Sequence, residues 1–351
     1  MTTLKDLRRL AVSQTLFAPD SLENALEKLG FVQADPIRAP ARAQDLILRP
    51  RVQNYKAGRL ETQYPKLSID EDYFVNYGFL QQSLRSLFHP RVREKTLKIE
   101  GDAPDLLPAV LEFVRHNGAS HPKALETHFG KTRVGNYWGG TSNATTRALE
   151  GLHYQGQLRV AGREKGIKVY EAVSHNSHNL TPETRATGIL ELILRSYAPL
   201  PLSSLLQLCS FSGLGAPSLK PLTRKLAQQQ ETVLVDGIKW VMPLLEPNVE
   251  PLETVTLLAP FDPIVWDRRR FEILHGWEYR FEAYTKPEKR IRGYYALPML
   301  YNTEVIGWAN INVKNGFAAE LGYVHQPKSA VFKRELKAEL ERMAAFLEVK
   351  F

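Results

Sequence analysis

A plan of three helices and a hairpin occurs twice in succession within residues 104–241, and a repeated unit constrains a fold more than any single motif does. In the first copy Leu106, Leu107, Val110, Leu111 and Val114 fall at helical spacing, and Gly118 ends the segment. Ser120 is placed to cap a second helix through Lys123, Leu125 and His128. A polar turn over 137–142 leads to a third helix along Ala144, Ala148, Leu149 and Leu152, which Gly156 stops. Two short β-like runs, 158–160 and 167–170, follow about the turn 162–166. In the second copy Thr181-Pro182 opens a helix through Ile189, Leu190, Ile193 and Leu194. Helical segments over 201–208 and 218–229 follow, then runs 233–235 and 238–241 about the hairpin signal Asp236-Gly237. Three helices and then a basic hairpin is the winged-helix order.

The flanks complete an α+β reading, in which tandem winged-helix units precede a C-terminal β-rich domain and a terminal helix. Leu4 to Leu16 and Ser21 to Leu29 are helical, so the N-terminal segment reads as a degenerate third unit. Near the C-terminus Val305, Trp308, Ala309, Ile311 and Val313 alternate with polar residues, Asn315-Gly316 is a type I′ turn signal, and Phe317, Ala319, Leu321 and Tyr323 continue the alternation. A last helix spans about Ser329 to Leu347. The expected domains are 1–100, an N-terminal winged-helix-like unit; 101–178 and 179–247, the two repeats; and 248–351, the β-rich domain with its final helix.

Composition removes several classes. Cys209 is the only cysteine, which excludes an intramolecular disulfide and any CxxC site. No apolar run approaches the ~18 residues of a membrane span, and the charged start Met1 to Arg9 is no secretory signal, so the expectation is a soluble, cytoplasmic chain without a membrane partner. There is no HExxH, no phosphate-binding GxxxxGK[ST] loop and no GxGxxG; His175 and His178 fall in a polar linker. No metal and no cofactor are expected, and Cys209 reads as core. Basic residues number 46 against 38 acidic ones, a net charge of +8. Such an excess permits a nucleic-acid partner without establishing one.

By winged-helix position, Asn143, Thr145, Thr146 and Arg147 begin one recognition helix, and Arg159, Arg163, Lys165 and Lys168 decorate its wing. Lys220, Arg224 and Lys225 take the equivalent helix of the next unit. A further basic concentration holds Arg268, Arg269, Arg270, Arg280, Lys286, Lys289, Arg290 and Arg292 among Trp266, Phe271, Trp277, Tyr279, Phe281, Tyr284, Tyr294 and Tyr295. It reads either as a surface that grips backbone and stacks on bases or as a β-domain core with charges alternating outward. From Pro36 to Leu60 six basic residues, including Arg38, Arg42, Arg49 and Arg51, face one acid, Asp45. The expected partner is double-stranded DNA. The chain has no heptad repeat, and several units in one chain suit a monomer. Two non-catalytic readings stand beside this one: a winged-helix regulator or architectural DNA-binding protein, and a protein-interaction module.

The chemistry centres on residues 31–40. Asp35 and Ala39 precede prolines and are pushed toward extended backbone. If 33–35 is extended, Gln33 and Asp35 share a side with Ala34 leaving room between them. A carboxylate and a carboxamide on one face can hold a water, the carboxylate accepting its proton and the amide orienting it. That carboxylate can also stabilise an oxocarbenium ion. The competing reading has Asp35-Pro36 capping a helix, which Pro40 would then interrupt.

At these residues the chain resembles the AlkZ/YcaQ-type winged-helix DNA glycosylases over nearly its whole length. Leu29 to Asp35 matches the Q-x-D variant of the family's catalytic motif, and residues 260–307 carry its Asp267-Arg268, Tyr279-Arg280-x-Glu282-x-Tyr284, Lys289-Arg290 and Gly293-Tyr294-Tyr295-x-Leu297-Pro298 elements. The resemblance implies excision of N7- or N3-alkylated purines, unhooking of N7-linked interstrand crosslinks, and a monofunctional enzyme with water placed by Gln33 and Asp35. The family's aromatic-x-His-x-Ala segment corresponds here to residues 72–80, which lack the histidine; His89 is the nearest.

Overall fold

The computed structural model describes residues 2–91, 105–135, 141–173, 180–244 and 253–351. The chain divides into two compact units. One comprises residues 1–60, 190–209 and 224–351, and the other 61–189 and 210–223.

In the first of these units the helix Leu4–Thr15 organises the core. Thr3 and Asp6 form a reciprocal capping box at its start. Leu7 and Ala11, one turn apart, pack with Val235, Trp240 and Leu274. Val12 points into a second cluster with Leu258, Ile264, Val265, Phe271, Trp277, Tyr279 and Leu300. The hairpin of the last winged-helix repeat lies here, with Ile238–Val241 central between Leu200–Pro201 and Val233–Val235. Asp236 and Gly237 both take positive φ, 48° and 76°, the type I′ geometry that the Asp-Gly pair predicts.

The C-terminal sheet is antiparallel, in the order Val255–Leu257, Leu297–Tyr301, Glu304–Asn312, Ala318–Tyr323. The helix Ala330–Leu347, capped by Ser329, packs on its first strand. One expectation fails locally. Gly316 has φ 97° but Asn315 does not enter the left-handed region, so residues 315–316 are not a type I′ turn. Asn302, at φ 54°, instead makes the tight turn between two strands of the sheet.

The second unit holds a complete winged helix. Helices Leu106–Asn117, Pro122–Phe129 and Ala144–Gln155 precede the hairpin Leu158–Glu164/Ile167–Ala172. Its core is Leu107, Val110, Val114, Leu125, Ala148, Leu149, Leu152 and Val160. The second helix is capped by His121, whose ring accepts from Lys123 N–H, and not by Ser120, because Pro122 occupies the first helical position. Strands Arg133–Gly135 and Thr141–Asn143 pair before the third helix; most of the polar turn 137–142 and the linker with His175 and His178 lie outside the described residues.

The same unit contains the hairpin Ile69–Tyr73/Tyr77–Gln81. Its consecutive acids Asp70, Glu71 and Asp72 are buried. Each meets basic side chains: Asp70 with Arg85 and Arg159, Glu71 with Arg163, and Asp72 with Arg91 and the His89 ring at 2.6 Å each. Burial opposes charge on Asp72, but Arg91 and His89 outweigh it and hold its carboxyl well below the ordinary range. Asp72, the first residue of the segment 72–80, is therefore tied into an ion network.

Candidate active site

Gln33 ends the strand Phe31–Gln33, which follows the helix Leu22–Leu29 directly. Gly30 makes the junction at φ 70°, and an added Cβ would lie 2.1 Å from the Arg195 guanidinium, so only glycine suits this turn. Gln33 is 4% exposed. The Trp266 indole N–H donates to its Oε1 at 2.7 Å. Indole nitrogen can only donate, so the amide oxygen faces Trp266 and the amide N–H pair is directed elsewhere.

Trp266 is itself held by a scaffold of buried arginines. Its backbone N–H, and that of Val265, donate to the Asp262 carbonyl at 2.8 Å each. The Asp262 carboxylate is gripped by Arg51 at 2.7 and 3.1 Å, with both side chains fully buried. Arg268 donates to the carbonyls of Val265 and Pro260 at 2.6 and 2.8 Å. Arg270 donates to those of Pro263, Ile264 and Tyr197. The turn that presents the indole to Gln33 is thus fixed from several sides.

Asp35 follows two residues later and is half-buried. It caps no helix. Its Oδ1 accepts from Ile37 N–H at 2.9 Å in a tight Asx turn, and the next helix, Ala43–Leu48, begins well beyond it. Gln44 on that helix accepts from Asp35 N–H at 3.4 Å. Burial raises the Asp35 carboxyl above its ordinary value, and the Ile37 N–H offsets this in part. Among the described residues no cation pairs with it. A carboxylate left without a cation, and made more basic by burial, suits proton acceptance.

The predicted DNA contacts divide sharply. Arg51 and Arg270 are 0% and 1% exposed, and Arg49 is buried against Glu339 and the Leu257 carbonyl. Arg268 stacks on the Tyr279 ring at 4.6 Å in addition to its carbonyl bonds. These four are corrections. Their guanidiniums are directed inward by carboxylate and carbonyl partners, where a phosphate cannot reach, so most of the Arg268–Arg270 triplet builds the scaffold. Arg38, Lys165, Lys220, Lys225 and Arg269 are exposed. Asn143 caps the helix Ala144–Gln155 through Thr145 N–H, and Thr146 and Arg147 occupy its first turns, Arg147 pairing with Glu150 at 2.8 Å. Arg42 stands at the start of Ala43–Leu48. Arg163 is paired with Glu71, and Arg224 donates to the Leu206 carbonyl at 2.6 Å. Arg290 donates to the Thr285 carbonyl at 2.8 Å, and Arg292 lies over the Trp277 and Trp308 rings.

The aromatics also divide. Phe271, Trp277, Tyr279 and Tyr295 are buried, whereas Tyr284 is 82% exposed. Sequence reasoning placed Trp266 only among candidate stacking rings; its proximity to Gln33 depends on a contact across 233 residues. Cys209 is buried, and burial pushes its thiol up to about 12, as for a core cysteine.

A family profile described as "DNA glycosylase AlkZ-like" matches residues 26–346, a span that includes Gln33, Asp35, Trp266 and the C-terminal sheet. The chain belongs to the AlkZ-like DNA glycosylase family. It is a DNA repair glycosylase whose substrate is DNA. Its fold is similar to that of the DNA glycosylase AlkZ of Streptomyces sahachiroi, with a TM-score of 0.65 over 98% of this chain and 96% of the other, at 12% identity. Among the described residues no helix is long and apolar enough to cross a membrane.

Proposed function

We propose that this AlkZ-like glycosylase hydrolyses the N-glycosidic bond of purines alkylated at N7 or N3, acting as a monomer on double-stranded DNA with water as nucleophile. The observation that carries this reading is the pairing of an indole-fixed Gln33 with a cation-free, half-buried Asp35. Alkylation at N7 makes the base cationic, so it leaves with the bond electrons as a neutral alkylpurine and needs no general acid. What the reaction lacks in solution is a placed base and negative charge beside the sugar.

In the proposed step the water oxygen bonds to C1′ as the bond from C1′ to the base breaks. One water proton passes to Asp35 and is later released to solvent. The products are a neutral alkylpurine and an abasic deoxyribose carrying a C1′ hydroxyl. No amine attacks C1′, so the enzyme is monofunctional and does not cut the strand. Before transfer, the Asp35 charge stabilises the oxocarbenium character of C1′. The Gln33 amide, its oxygen engaged by Trp266, offers N–H groups to the water. Exposed Arg38, Lys165, Lys220, Lys225 and Arg269 supply phosphate contacts, as do Arg42 and, at a helix start, Asn143, Thr146 and Arg147. The same chemistry would open an N7-linked interstrand crosslink.

The test is incubation of the full chain with duplexes bearing 7-methylguanine or an N7-linked crosslink. The expected result is release of free alkylated base and abasic sites that break only on later alkali treatment. No release from any N7 or N3 adduct would overturn this substrate assignment, and direct strand cleavage would overturn the water mechanism.

A further inference from the structure

Residues 279–296 run as a loop, with one short helical turn, between the helix Arg268–His275 and the strand Leu297–Tyr301. Three of its large apolar side chains face solvent: Tyr284 is 82% exposed, Ile291 74% and Tyr294 43%. Single exposed apolar residues are ordinary, but three within eleven residues of one loop are not. The loop is also tied together by its own hydrogen bonds. The Tyr279 hydroxyl donates to the Ala296 carbonyl at 2.7 Å and closes its base. The Glu282 carboxylate accepts the N–H groups of Ile291, Arg292 and Gly293 at 2.8–3.1 Å. Arg290 donates to the Thr285 carbonyl at 2.8 Å, and Asn310 to the Arg292 carbonyl at 2.6 Å. Tyr284 and Ile291 therefore stand on the two arms of a cross-linked loop. Little backbone order is left to be gained when it binds, which favours tight contact.

The chemistry around these side chains points to a nucleic-acid partner. Lys286 and Lys289 are exposed, and Arg290 lies over the Tyr294 ring at 5.0 Å. Residues 280–294 hold five basic residues against two acids, and one of those acids, Glu282, is occupied by backbone N–H groups. On DNA the cations match phosphates, whereas exposed rings and aliphatic chains match only base faces. The loop is also seated on the turn that serves the candidate active site. Phe281 meets Phe261 edge-on at 5.0 Å, and Phe261 lies in the turn 260–266 whose Trp266 donates to Gln33. Phe281 in turn meets Tyr284 edge-on at 6.1 Å. Ring contacts thus lead from the turn that fixes Gln33 out to the exposed Tyr284.

We propose that Tyr284 and Ile291 enter the duplex at the damaged step and pack on the base faces that partial unstacking exposes, while Lys286 and Lys289 hold the flanking phosphates. The proposal rests on the reading of Gln33 and Asp35 as the site where the damaged nucleotide lies. Unstacking costs least where a base is damaged or missing, so insertion favours such sites over intact duplex. The two side chains are then specificity-determining residues: they reward an open step and gain nothing at a closed one.

The test measures the affinity of the full chain for an intact duplex and for the same duplex carrying one tetrahydrofuran abasic analogue. Wild type is expected to prefer the abasic duplex. Tyr284→Ala is expected to lose about 5- to 100-fold on the abasic duplex and little on the intact one. Tyr284→Phe keeps the ring and retains the preference, and Ile291→Ser shows a smaller loss in the same direction. All three are expected to unfold at the wild-type midpoint, because the side chains are exposed. Lys286→Gln with Lys289→Gln lowers both affinities equally and flattens their salt dependence. No preference in wild type, or a preference undiminished in Tyr284→Ala, would overturn the proposal. So would a loss in Tyr284→Ala of equal size on both duplexes. Release of 7-methylguanine separates this from the catalytic reading. A preference lost in Tyr284→Ala while wild type releases no N7 or N3 adduct would uphold the loop and fail the substrate assignment. Release by wild type with an undiminished preference in Tyr284→Ala would do the reverse.

Discussion

Asp35 in one unit and Asp72 in the other sit in opposite electrostatic surroundings. Asp72 is 2% exposed and contacts Arg91 and His89, and its carboxyl is held well below the ordinary range. Asp35 is half-buried, accepts only a local backbone N–H, and is raised by burial. Burial disfavours charge on both; the difference lies in whether cations compensate for it. A compensated carboxylate is a poor base because its charge is already neutralised. An uncompensated one retains its basicity and weakens the fold, as the proposed role of Asp35 requires.

The largest expected effect on stability follows from this contrast. Asp72→Asn strips a buried Arg91–His89 cluster of its anion and is expected to lower folding stability by about 3–5 kcal/mol, read by chemical denaturation. Asp35→Asn is expected to leave stability unchanged or raised. The sign is fixed because a carboxyl whose pKa is higher in the folded state than in the unfolded one makes its ionised form a folding penalty at neutral pH. An equal drop in stability in the two variants would break the comparison.

A smaller effect separates exposed Arg38 from the inward arginines. Replacing Arg38 with Gln is expected to weaken duplex binding and lower the salt-dependence slope by roughly 1, with stability retained. Unchanged affinity and slope would return this charge to ordinary solvated surface.

The repeats, their hairpins and the final helix were readable because apolar spacing and Asp-Gly or Gly stops act locally. Asp236-Gly237 turns where expected, and the final helix, expected from about Ser329, runs over Ala330–Leu347. The six-to-one basic excess of residues 36–60 was readable as charge but not as direction. Arg49 and Arg51 turn inward because Glu339 and Asp262, more than 200 residues away, meet them there. Arg268 and Arg270 misled for a different reason: their partners are nearby carbonyls of the turn before them, which leave no trace in side-chain spacing. Gln33 and Asp35 stood out through their spacing and adjoining prolines. The Trp266 contact did not, since it links the N-terminal strand to the C-terminal region.

The most direct measurement is single-turnover release of 7-methylguanine from methylated duplex by wild type and Asp35→Asn across a pH series. With Asp35 as the base, the wild-type rate falls on acidification through a pKa above the ordinary carboxylate value, because protonation removes the proton acceptor. The variant is slowed about 10²- to 10⁴-fold and loses that acid limb. A variant that matches wild type in rate and keeps the same acid limb would contradict the account.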